Sequence, residues 1–491
     1  MITLPLNQKN LDQVSTHIQP PQYDRHAVKT GIVHIGVGGF HRSHQAWYTD
    51  ALLGEYGATD WGICGIGLRE ADRKMAEVLQ RQDGLYTLIT QHPDGQIENQ
   101  VIGSITEYIL AMDEPVRAIN KMADADTKIV SLTITEGGYN MTAEGSFDFT
   151  DAGVVHDLNH PEAPTTVFGF LAAALQKRKD TGLPAFTVLS CDNVEHNGDV
   201  AKKALLSFVS KLDPALETWI ANNVCFPNAM VDRITPVTHA KDITYLRDSF
   251  GLDDAWPVTC EPFIQWVIED KFSNGRPPYE KVGAQFVPDV TPYEKMKLRL
   301  LNAGHSVVGI PGAIYGHPTI NACMEDAVFA TFMRSFLDKE ATPVLDTVEG
   351  IDLDQYKDTL AARFANPNIK DSVSRICSES AAKLPKFLIP TLRENLHRGG
   401  SIKYATLILA AWCFYSDKQA NQHGAPLEII DVMREQLHEA AQGTAQDPLS
   451  FLRLYTIFGD LIDHKQFVDA YTDMIHHLYS GIDISRLMQS L

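Results

Sequence analysis

Short apolar runs alternate with helical periods along the first part of the chain. The runs that predict strands are 31–37 (GIVHIGV), 61–68 (WGICGIGL), 85–90 (LYTLIT), 128–135 (KIVSLTIT) and 185–190 (AFTVLS). Helical periods lie between these runs, for example at 43–56 and 165–179. Alternation of this kind is typical of a parallel sheet covered by helices on both faces. The pattern therefore predicts an α/β fold with a doubly wound sheet.

The pattern changes after about residue 290, where helical periods dominate and strand signals nearly vanish. Pro288 and Pro292 mark the crossing between the two patterns. We therefore predict an N-terminal α/β domain over residues 1–287 and a mostly α-helical C-terminal domain over residues 288–491.

The first predicted strand runs into a glycine loop, Gly36-Val37-Gly38-Gly39, and a helical period follows within a few residues. This context is what a dinucleotide-binding loop of a Rossmann-type domain requires, because one glycine allows the turn and another lets the pyrophosphate approach. His41 stands where the third glycine of that motif is expected, so we expect Phe40 to take over its packing role. An ordinary glycine turn is the alternative.

The cofactor-binding residues predicted in this loop are Ile35, Gly36, Val37, Gly38, Gly39, Phe40, His41 and Arg42. Arg42 is included because its guanidinium can make a charge-assisted contact to phosphate. An acid after the second strand, Asp72 or Glu70, can bind both ribose hydroxyls and repel a 2′-phosphate. Either acid would favour NAD over NADP. The alternative is two solvated acids at the start of a helix.

Two further strands end in polar residues. The run 128–135 leads into Glu136, and the run 185–190 leads into Asp192 and Asn193. Ligands of open parallel sheets bind beyond the carboxyl ends of the strands, so Asn193 can donate a hydrogen bond to a substrate oxygen. A simple turn in which the Asn or Asp side chain bonds its own backbone is the alternative.

The segment PYEKMKLRLLNAGHS predicts a buried helix that carries three polar side chains, Lys297, Asn302 and His305. At helical spacing the three span about 140° of the helix surface. A lysine shielded from water loses its proton more easily and can take a proton from an alcohol, while an amide and an imidazole hold the same oxygen. A structural role for these side chains is the alternative.

Composition narrows the class of protein. The chain has 42 Lys and Arg against 62 Asp and Glu, a net charge of -20, which argues against nucleic-acid and anionic-membrane partners. The N-terminus lacks the pattern of a signal peptide and no apolar run is long enough to span a membrane, which suggests a cytoplasmic protein. The seven cysteines have no paired spacing, so no metal site is predicted.

Seven segments together identify a family resemblance. They are GVGGFHRSHQAWYTD, WGICGIGLREADRK, IVSLTITEGGY, FTVLSCDNVEHNG, FPNAMVDRITP, CEPFIQWVIEDKFSNGRPP and MKLRLLNAGHS. In number, length and order these segments resemble the polyol-specific long-chain dehydrogenases. The resemblance implies a Rossmann-type domain, a helical domain, a cleft between them, and metal-independent interconversion of D-mannitol and D-fructose with NAD as cofactor. Members of the family are often monomers, which suggests a monomer here.

The resemblance also implies roles for single residues. Lys297 matches the catalytic base, and Asn193 and Asn302 match the residues that stabilise the reacting oxygen. His305 matches a residue that orients the substrate, and Glu294 matches an acid that relays the proton to solvent. The remaining matches are Arg375, Lys383 and Asp232, which match substrate-side residues, and Asp72, which matches the acid that selects NAD.

Several alternatives stay open at the level of sequence. Relatives in the same family act on D-arabinitol or D-sorbitol, or reduce uronates such as fructuronate, whose carboxylate Arg375 or Lys383 could pair. A nucleotide-binding sugar sensor without catalysis is a second class, and a zinc polyol dehydrogenase is a third. The sensor would lack the base and the oxygen-binding residues, and the zinc enzyme would need a Cys/His/Glu ligand set.

Overall fold

The structure, a computed structural model, describes residues 3–142 and 145–491. The chain divides into two compact units. The first unit runs to His92 and from Gln96 to Thr291, and the second comprises Pro93–Gly95 and Pro292–Leu491. We keep 287/288 as the proposed domain limit, a few residues before this division.

The first unit holds all the named strands of the described residues. They are Leu4–Pro5 (β1), Thr30–Ile35 (β2), Gly62–Gly67 (β3), Tyr86–Gln91 (β4), Ile97–Ile102 (β5), Ile105–Leu110 (β6), Ile129–Leu132 (β7), Thr187–Ser190 (β8), Ala229–Asp232 (β9), Leu252–Asp253 (β10), Val258–Cys260 (β11), Gln265–Glu269 (β12) and Gln285–Val287 (β13). Its helices are Gly39–Ser43 (α1), Gln45–Tyr56 (α2), Arg73–Arg81 (α3), Pro115–Ala123 (α4), Ala152–Asn159 (α5), Val167–Thr181 (α6), Asn197–Leu212 (α7), Pro214–Asn223 (α8) and Ala240–Phe250 (α9).

The main sheet has five parallel strands in the order β6-β3-β2-β7-β8. This is the strand order of a Rossmann fold, in which the first strand lies at the centre and the chain winds outward on both sides. The carboxyl ends of all five strands therefore lie at one edge. The loops after β2 and β7 are neighbours at the point where the winding direction reverses.

Alternate side chains of β2 enter two different hydrophobic cores. Val33 and Ile35 belong to a core shared with α4, α6 and α7, whereas Ile32 belongs to a core shared with α2, β4 and β12. Successive side chains of a strand point to opposite faces, so helices and loops cover both faces of the sheet. The predicted doubly wound α/β fold is confirmed.

One predicted strand lies in a different sheet. The run at 85–90 forms β4, but β4 pairs antiparallel with β5 and parallel with β11 in a separate three-stranded sheet. The edge of the main sheet is instead β6, which the apolar pattern did not reveal because Glu107 and Tyr108 interrupt it. An apolar run indicates a buried strand without indicating which sheet contains it.

The second unit is helical, as predicted. Its α-helices are Thr291–Lys297 (α10), which starts at the division, Ala303–Tyr315 (α11), Ile320–Glu325 (α12), Ala327–Phe336 (α13), Leu353–Phe364 (α14), Val373–Cys377 (α15), Ser380–Phe387 (α16), Ile389–Arg398 (α17), Lys403–Lys418 (α18), Arg434–Gln442 (α19), Tyr455–Phe458 (α20), Lys465–Tyr479 (α21) and Ile484–Gln489 (α22). The helices α11 and α18 are almost fully buried and pack against each other. In addition, α11 packs against α15, and α18 packs against α21.

Two π turns interrupt the helices of this unit. Leu298–Asn302 joins α10 to α11, and Leu337–Ala341 follows α13. The backbone N–H of Ala303 donates to the carbonyl of Leu298, the five-residue spacing that defines a π turn. The two π turns contact each other. We predicted a regular helix through Lys297, Asn302 and His305. That prediction is wrong in one respect, because the observed helix contains one additional residue in its π turn.

A search of residues 3–142 and 145–491 finds no helix with both the length and the apolar character needed to cross a bilayer.

Glu340 is fully buried in the second π turn. Its carboxylate accepts hydrogen bonds from the backbone N–H groups of Tyr404 and Ala405, at 2.9 Å each, and from the Ser401 hydroxyl at 3.0 Å. These donors lie at the N-terminus of α18, where a carboxylate satisfies helix N–H groups that lack a helical partner. Burial nevertheless raises the pKa of Glu340 from 4.5 to about 7.

A raised pKa in the folded state makes stability depend on pH. The folded state holds its proton more tightly than the unfolded state, so this contribution is complete below about pH 4.5 and is lost as the pH rises to about 7. We predict that the stability advantage of the wild type over Glu340→Gln shrinks by up to about 3 kcal/mol across that window. Thermal melts of both proteins from pH 4.5 to 8 measure the gap, and parallel curves would contradict the prediction.

Candidate active site

The glycine loop after β2 begins with a residue that must be glycine. Gly36 has φ +96°, and a Cβ atom built there would lie 2.1 Å from the carbonyl oxygen of Thr133. Its N–H donates to Ile66 at 3.1 Å, and its carbonyl accepts from the Thr133 hydroxyl at 2.7 Å. The loop is therefore held by both neighbouring strands, β3 and β7.

Gly38 has the opposite surroundings. It precedes α1, and a Cβ atom built on it would have its nearest neighbour, the Gly36 carbonyl oxygen, 3.9 Å away. The space beside its backbone is open, which is what the close approach of a pyrophosphate requires. Ile35, Val37 and Gly39 complete the loop, and Gly39 begins α1. These features fit a dinucleotide.

His41 is buried rather than directed toward a ligand. Its side chain is 1% exposed and stacks on His34 of β2, with ring centroids 3.4 Å apart and planes at 12°. The predicted contact of its side chain with a cofactor is therefore not supported. His41 packs α1 against β2, a role that the sequence assigned to Phe40, while Phe40 packs against the core that contains Ile32 and Val37. Phe40 is half-buried and stacks on His44.

Arg42 is also buried beneath the loop. Its guanidinium donates to the Gly38 carbonyl at 3.3 Å and to the Trp256 carbonyl at 2.5 Å, and it faces the ring of Tyr86. Only 1% of the residue is exposed. These contacts favour a role in holding the loop, in place of the phosphate contact that the sequence suggested.

Asp72 lies just beyond the end of β3. One oxygen of its carboxylate, Oδ2, accepts from the N–H groups of Leu68 and Arg69, at 3.0 Å each. The other oxygen, Oδ1, lies 3.8 Å from the exposed guanidinium of Arg69. Glu70, the alternative acid, instead binds Arg73 at the surface. The fixed position of Asp72 at the strand end is that of a ribose-binding acid.

The ends of β7 and β8 are tied together by Asp192. Its carboxylate accepts from the backbone N–H groups of Ile134, at 3.1 Å, and Thr135, at 2.8 Å, and from the Tyr139 hydroxyl at 2.7 Å. Asn193, the next residue, is exposed at the same edge of the sheet. Asp192 therefore shapes the edge from which Asn193 projects.

Asp232, predicted on the substrate side, also lies in the first unit. It is buried at the end of β9, opposite Gln265 of β12. The other predicted site residues, from Glu294 to Lys383, belong to the second unit.

The π turn changes which side chains share a face in the second unit. In a regular α-helix Asn302 and His305 would lie about 140° and 80° from Lys297. One additional residue turns the following helix back by about 100°, which places them at about 40° and -20°. Lys297, Asn302 and His305 therefore lie on one face within about 60°. π turns are frequent at functional sites.

Glu294 and Lys297 are neighbours one turn apart on α10, and both are buried, with 5% and 7% exposed. Asn302 ends the π turn, and its side-chain oxygen is buried without a hydrogen-bond partner among the described residues. A buried polar atom without a partner is costly, so a ligand hydroxyl is the natural partner for this amide.

His305 is held by an aromatic stack and surrounded by positive charge. Its ring lies on Phe364 with centroids 3.8 Å apart and planes at 12°. Burial lowers the pKa of His305 well below its ordinary value, and the charges of Arg375, Arg363 and Lys383 lower it further, as does that of Lys297. The imidazole is therefore neutral and can both donate and accept a hydrogen bond.

Arg375 and Lys383, predicted on the substrate side, both lie near His305. Arg375 is exposed and its guanidinium forms a two-pronged ion pair with Asp371. Lys383 is half-buried and donates to the Ile376 carbonyl at 3.1 Å. Burial lowers the pKa of Lys383, and the charge of Arg375 contributes. The charge of Arg375 is balanced by the Asp371 carboxylate in direct contact with it.

Sequence reasoning gave no role to several residues that shape these sites. Thr133 and Asp192 hold the loop edge in the first unit, and Arg363 and Phe364 surround His305 in the second. Thr133 and Asp192 had a signal, since polar residues at the end of an apolar strand mark a ligand edge. Arg363 and Phe364 had none, because they come from α14, far from His305 in sequence.

The fold and these residues define a class of protein. A Rossmann-type sheet with a glycine loop and an acid at the end of the second strand is a dinucleotide-binding domain. A buried lysine beside an amide and a neutral imidazole is an arrangement for proton transfer to and from an oxygen. Together they define a nicotinamide-type oxidoreductase.

The comparisons with known proteins agree with this class. Residues 30–281 match the mannitol dehydrogenase Rossmann domain, and residues 289–479 match the mannitol dehydrogenase C-terminal domain. The chain is 45% identical over 471 residues to mannitol 2-dehydrogenase of Neosartorya fischeri, covering 94% of this chain and 93% of that protein. It is similar in structure to Pseudomonas fluorescens mannitol 2-dehydrogenase, solved in ternary complex with NAD and D-mannitol, with a TM-score of 0.89, 44% identity and 99% of each chain covered.

A second solved structure, a D-sorbitol dehydrogenase in substrate-free form, has a TM-score of 0.90 and 36% identity, with 99% of this chain and 100% of that chain covered. The chain belongs to the mannitol dehydrogenase family. The predictions of an oxidoreductase and of NAD as its cofactor are confirmed at the level of this family.

The two loop glycines give a test that separates folding from cofactor binding. We predict that Gly38→Ala keeps the melting temperature of the wild type but weakens NADH binding about tenfold or more, or about 1.4 kcal/mol, because its methyl group fills the open space. Gly36→Ala should instead lower the melting temperature, since it adds both strain and overlap of about 1–3 kcal/mol. NADH titrations and thermal melts measure both effects. Wild-type affinity in Gly38→Ala would contradict the assignment of this loop.

Proposed function

We propose that the protein catalyses the reversible, NAD-dependent oxidation of D-mannitol to D-fructose without a metal ion. The observation that carries this proposal is the π turn at Leu298–Asn302, in a chain with the family membership described above. At ideal helical angles this turn brings Lys297, Asn302 and His305 within about 60° of one another. NAD+ held by the glycine loop supplies the acceptor for the hydride that leaves the carbon being oxidised.

Lys297 is the proposed general base. When the alcohol is oxidised, its hydroxyl must lose a proton as the hydride leaves the same carbon, and unprotonated Lys297 takes that proton. In the reverse direction the ammonium returns a proton to the oxygen of the ketose. The buried position of Lys297 supports this role, since removal from water disfavours the charged ammonium form and favours the unprotonated amine that must accept the proton.

Asn302 and Asn193 are proposed to hold the reacting oxygen. An amide N–H that points at this oxygen stabilises the negative charge that develops as the proton leaves. The buried side-chain oxygen of Asn302, which has no partner within the described residues, supports a second contact to a substrate hydroxyl. Asn193 is exposed at the carboxyl edge of the main sheet, where ligands of such sheets bind.

His305 and Glu294 are proposed to assist the base in different ways. The neutral His305, fixed by Phe364, can orient a hydroxyl of the substrate without adding a charge. Glu294 lies one turn before Lys297 on the same helix and is proposed to pass the proton on toward solvent. Asp232, Arg375 and Lys383 are proposed to contact the remaining hydroxyl groups, and Asp72 to bind the ribose of NAD and disfavour NADP.

The lysine takes the role that a metal ion has in other alcohol dehydrogenases. In residues 3–142 and 145–491, no three His, Cys, Asp or Glu side chains are grouped as a metal site requires. The proposal therefore expects full activity after exhaustive treatment with a chelator.

A uronate oxidoreductase is the second candidate, and the positive charge near His305 favours it. Lys383 carries a positive charge near the site, and its hydrogen bond goes to a backbone carbonyl. A substrate carboxylate could pair with it. Arg375 already pairs with Asp371, which reduces the charge available for such a substrate. D-Sorbitol and D-arabinitol are the other polyols to consider, because a D-sorbitol dehydrogenase is 36% identical.

A substrate panel tests the proposal directly. Purified protein is assayed for NADH formation with D-mannitol, D-sorbitol and D-arabinitol, and for NADH oxidation with D-fructose and fructuronate. We expect the highest kcat/KM for D-mannitol and D-fructose, unchanged by a chelator. A preference for fructuronate would show that the protein is a uronate oxidoreductase instead. NADH binding without turnover of any substrate would favour the nucleotide-binding sugar sensor.

Lys297 can be tested against a neighbouring lysine on the same helix. We predict that Lys297→Ala lowers kcat for D-mannitol by about 10²–10⁴-fold, because the base is lost, while NADH binding stays intact. Lys295→Ala is the matched control, since Lys295 pairs with Asp346 and Glu394 and should leave kcat unchanged. Steady-state kinetics and NADH titrations measure both variants. Normal turnover in Lys297→Ala would refute the proposed mechanism.

A further inference from the structure

A chain of buried polar side chains lies beneath the dinucleotide loop and takes no direct part in the proposed reaction. His34 of β2 is within hydrogen-bond distance of two residues of β7: its Nδ1 lies 2.8 Å from the Ser131 hydroxyl and its Nε2 lies 2.9 Å from the Thr133 hydroxyl. Thr133 in turn lies 2.7 Å from the Gly36 carbonyl, and Ser131 lies 2.8 Å from the side-chain oxygen of Gln45.

Counting hydrogens assigns a direction to this chain. The Gly36 carbonyl can only accept, so the single hydrogen of the Thr133 hydroxyl must point to it. The Thr133 oxygen is then free to accept from Nε2–H of His34. Burial lowers the pKa of His34 to about 3, so its ring is neutral and carries one hydrogen. Its Nδ1 must therefore accept from Ser131, whose hydrogen is no longer available for Gln45.

This assignment also determines which side-chain atom of Gln45 faces Ser131. Its side-chain nitrogen is buried without a partner among the described residues when its oxygen faces Ser131. Rotating the Gln45 side-chain amide by 180° exchanges the positions of its oxygen and nitrogen. With the NH2 group turned to Ser131, each of the four contacts from Gln45 through Ser131, His34 and Thr133 to the Gly36 carbonyl has one donor and one acceptor. With its hydrogen on Nε2, His34 donates to the Thr133 oxygen, and the hydroxyl hydrogen of Thr133 can bond to the Gly36 carbonyl.

His41 fixes the ring that this chain depends on. Its imidazole lies flat on that of His34, and the two rings are buried. Neither ring nitrogen of His41 makes a hydrogen bond of normal geometry within the described part of the chain, although Gln45 lies beside it. Burying an imidazole without such bonds costs free energy. We therefore assign the role of His41 to the stacking of its flat ring on His34. The stack prevents His34 from rotating away from Ser131 and Thr133.

We propose that His41 and His34 are positioning residues of the dinucleotide loop, which act by holding the Thr133 hydroxyl on the Gly36 carbonyl. With the N–H of Gly36 bound to Ile66, the bond from Thr133 fixes the second side of this glycine. The loop then presents its backbone to a pyrophosphate without first having to become ordered. Histidine at the third-glycine position is thereby explained. The inference relies on the proposed function only for NAD(H) as the ligand.

Thr133 allows a test with matched variants. Thr133→Val keeps the shape of the side chain and removes the hydroxyl, whereas Thr133→Ser keeps the hydroxyl. We expect the NADH dissociation constant to rise about 3–10-fold in Thr133→Val, the value of one hydrogen bond, and to return to within about twofold of the wild type in Thr133→Ser. The kcat at saturating NAD+ and the KM for D-mannitol should not change in Thr133→Val, since the catalytic side chains are untouched.

A double variant tests whether His41 acts through Thr133. His41→Leu removes the flat ring and should weaken NADH binding by a similar factor. The double variant His41→Leu/Thr133→Val should bind NADH no more than about twofold more weakly than Thr133→Val alone, because both changes remove the same bond. Effects that multiply would overturn the proposal. Nitrogen-15 NMR of the histidines in the wild type should show His34 with its hydrogen on Nε2, and the other tautomer would also overturn it.

The outcomes separate this inference from the proposed function. If the wild type does not bind NADH, the proposed function fails. If the wild type binds NADH and Thr133→Val binds it equally well, the cofactor assignment stands and only the positioning role fails.

Discussion

One additional residue in the helix after Lys297 sets the geometry on which the proposed chemistry of the second unit depends. A regular α-helix would place Asn302 about 140° around the helix axis from Lys297, on a different face of the helix. The π turn at Leu298–Asn302 removes most of that angle and places the lysine, the amide and His305 on one face. Without the turn the same three side chains would be spread over about 140° of the helix surface instead of about 60°. The proposed base and the groups that hold the alcohol oxygen depend on this local departure from helical geometry.

The surrounding structure explains how this turn persists. A π turn leaves the helix locally less well bonded, so neighbouring elements must hold it. The second π turn, Leu337–Ala341, packs against it and is anchored through Glu340 to the N-terminus of α18. The first unit uses the same strategy at its glycine loop, where side chains of neighbouring strands fix Gly36. In both units buried hydrogen bonds hold an irregular backbone element or its neighbour, and the proposed catalytic or cofactor-binding groups lie on that element.

The sequence predicted the larger features well and the local departures poorly. Periodicity was sufficient for the division into an α/β and a helical unit, and for the bounds of β2, β3 and β8 to within a few residues. It misplaced β4 and missed β6, because hydrophobicity reports burial and not the partner strand. The burial of His41 depended on a histidine in β2, a polar residue in an apolar strand that could have served as a signal. The π turn had no signal, because its residues are ordinary helix formers.

The most direct test of the account is a crystal structure of this chain with NAD+ and D-mannitol. We predict that the oxygen on the carbon to be oxidised lies about 3 Å from both the Nζ atom of Lys297 and the side-chain amide of Asn302. We also predict that the π turn at Leu298–Asn302 persists in the complex. An oxygen outside hydrogen-bond reach of Lys297, or a regular α-helix through residues 298–302, would contradict the account.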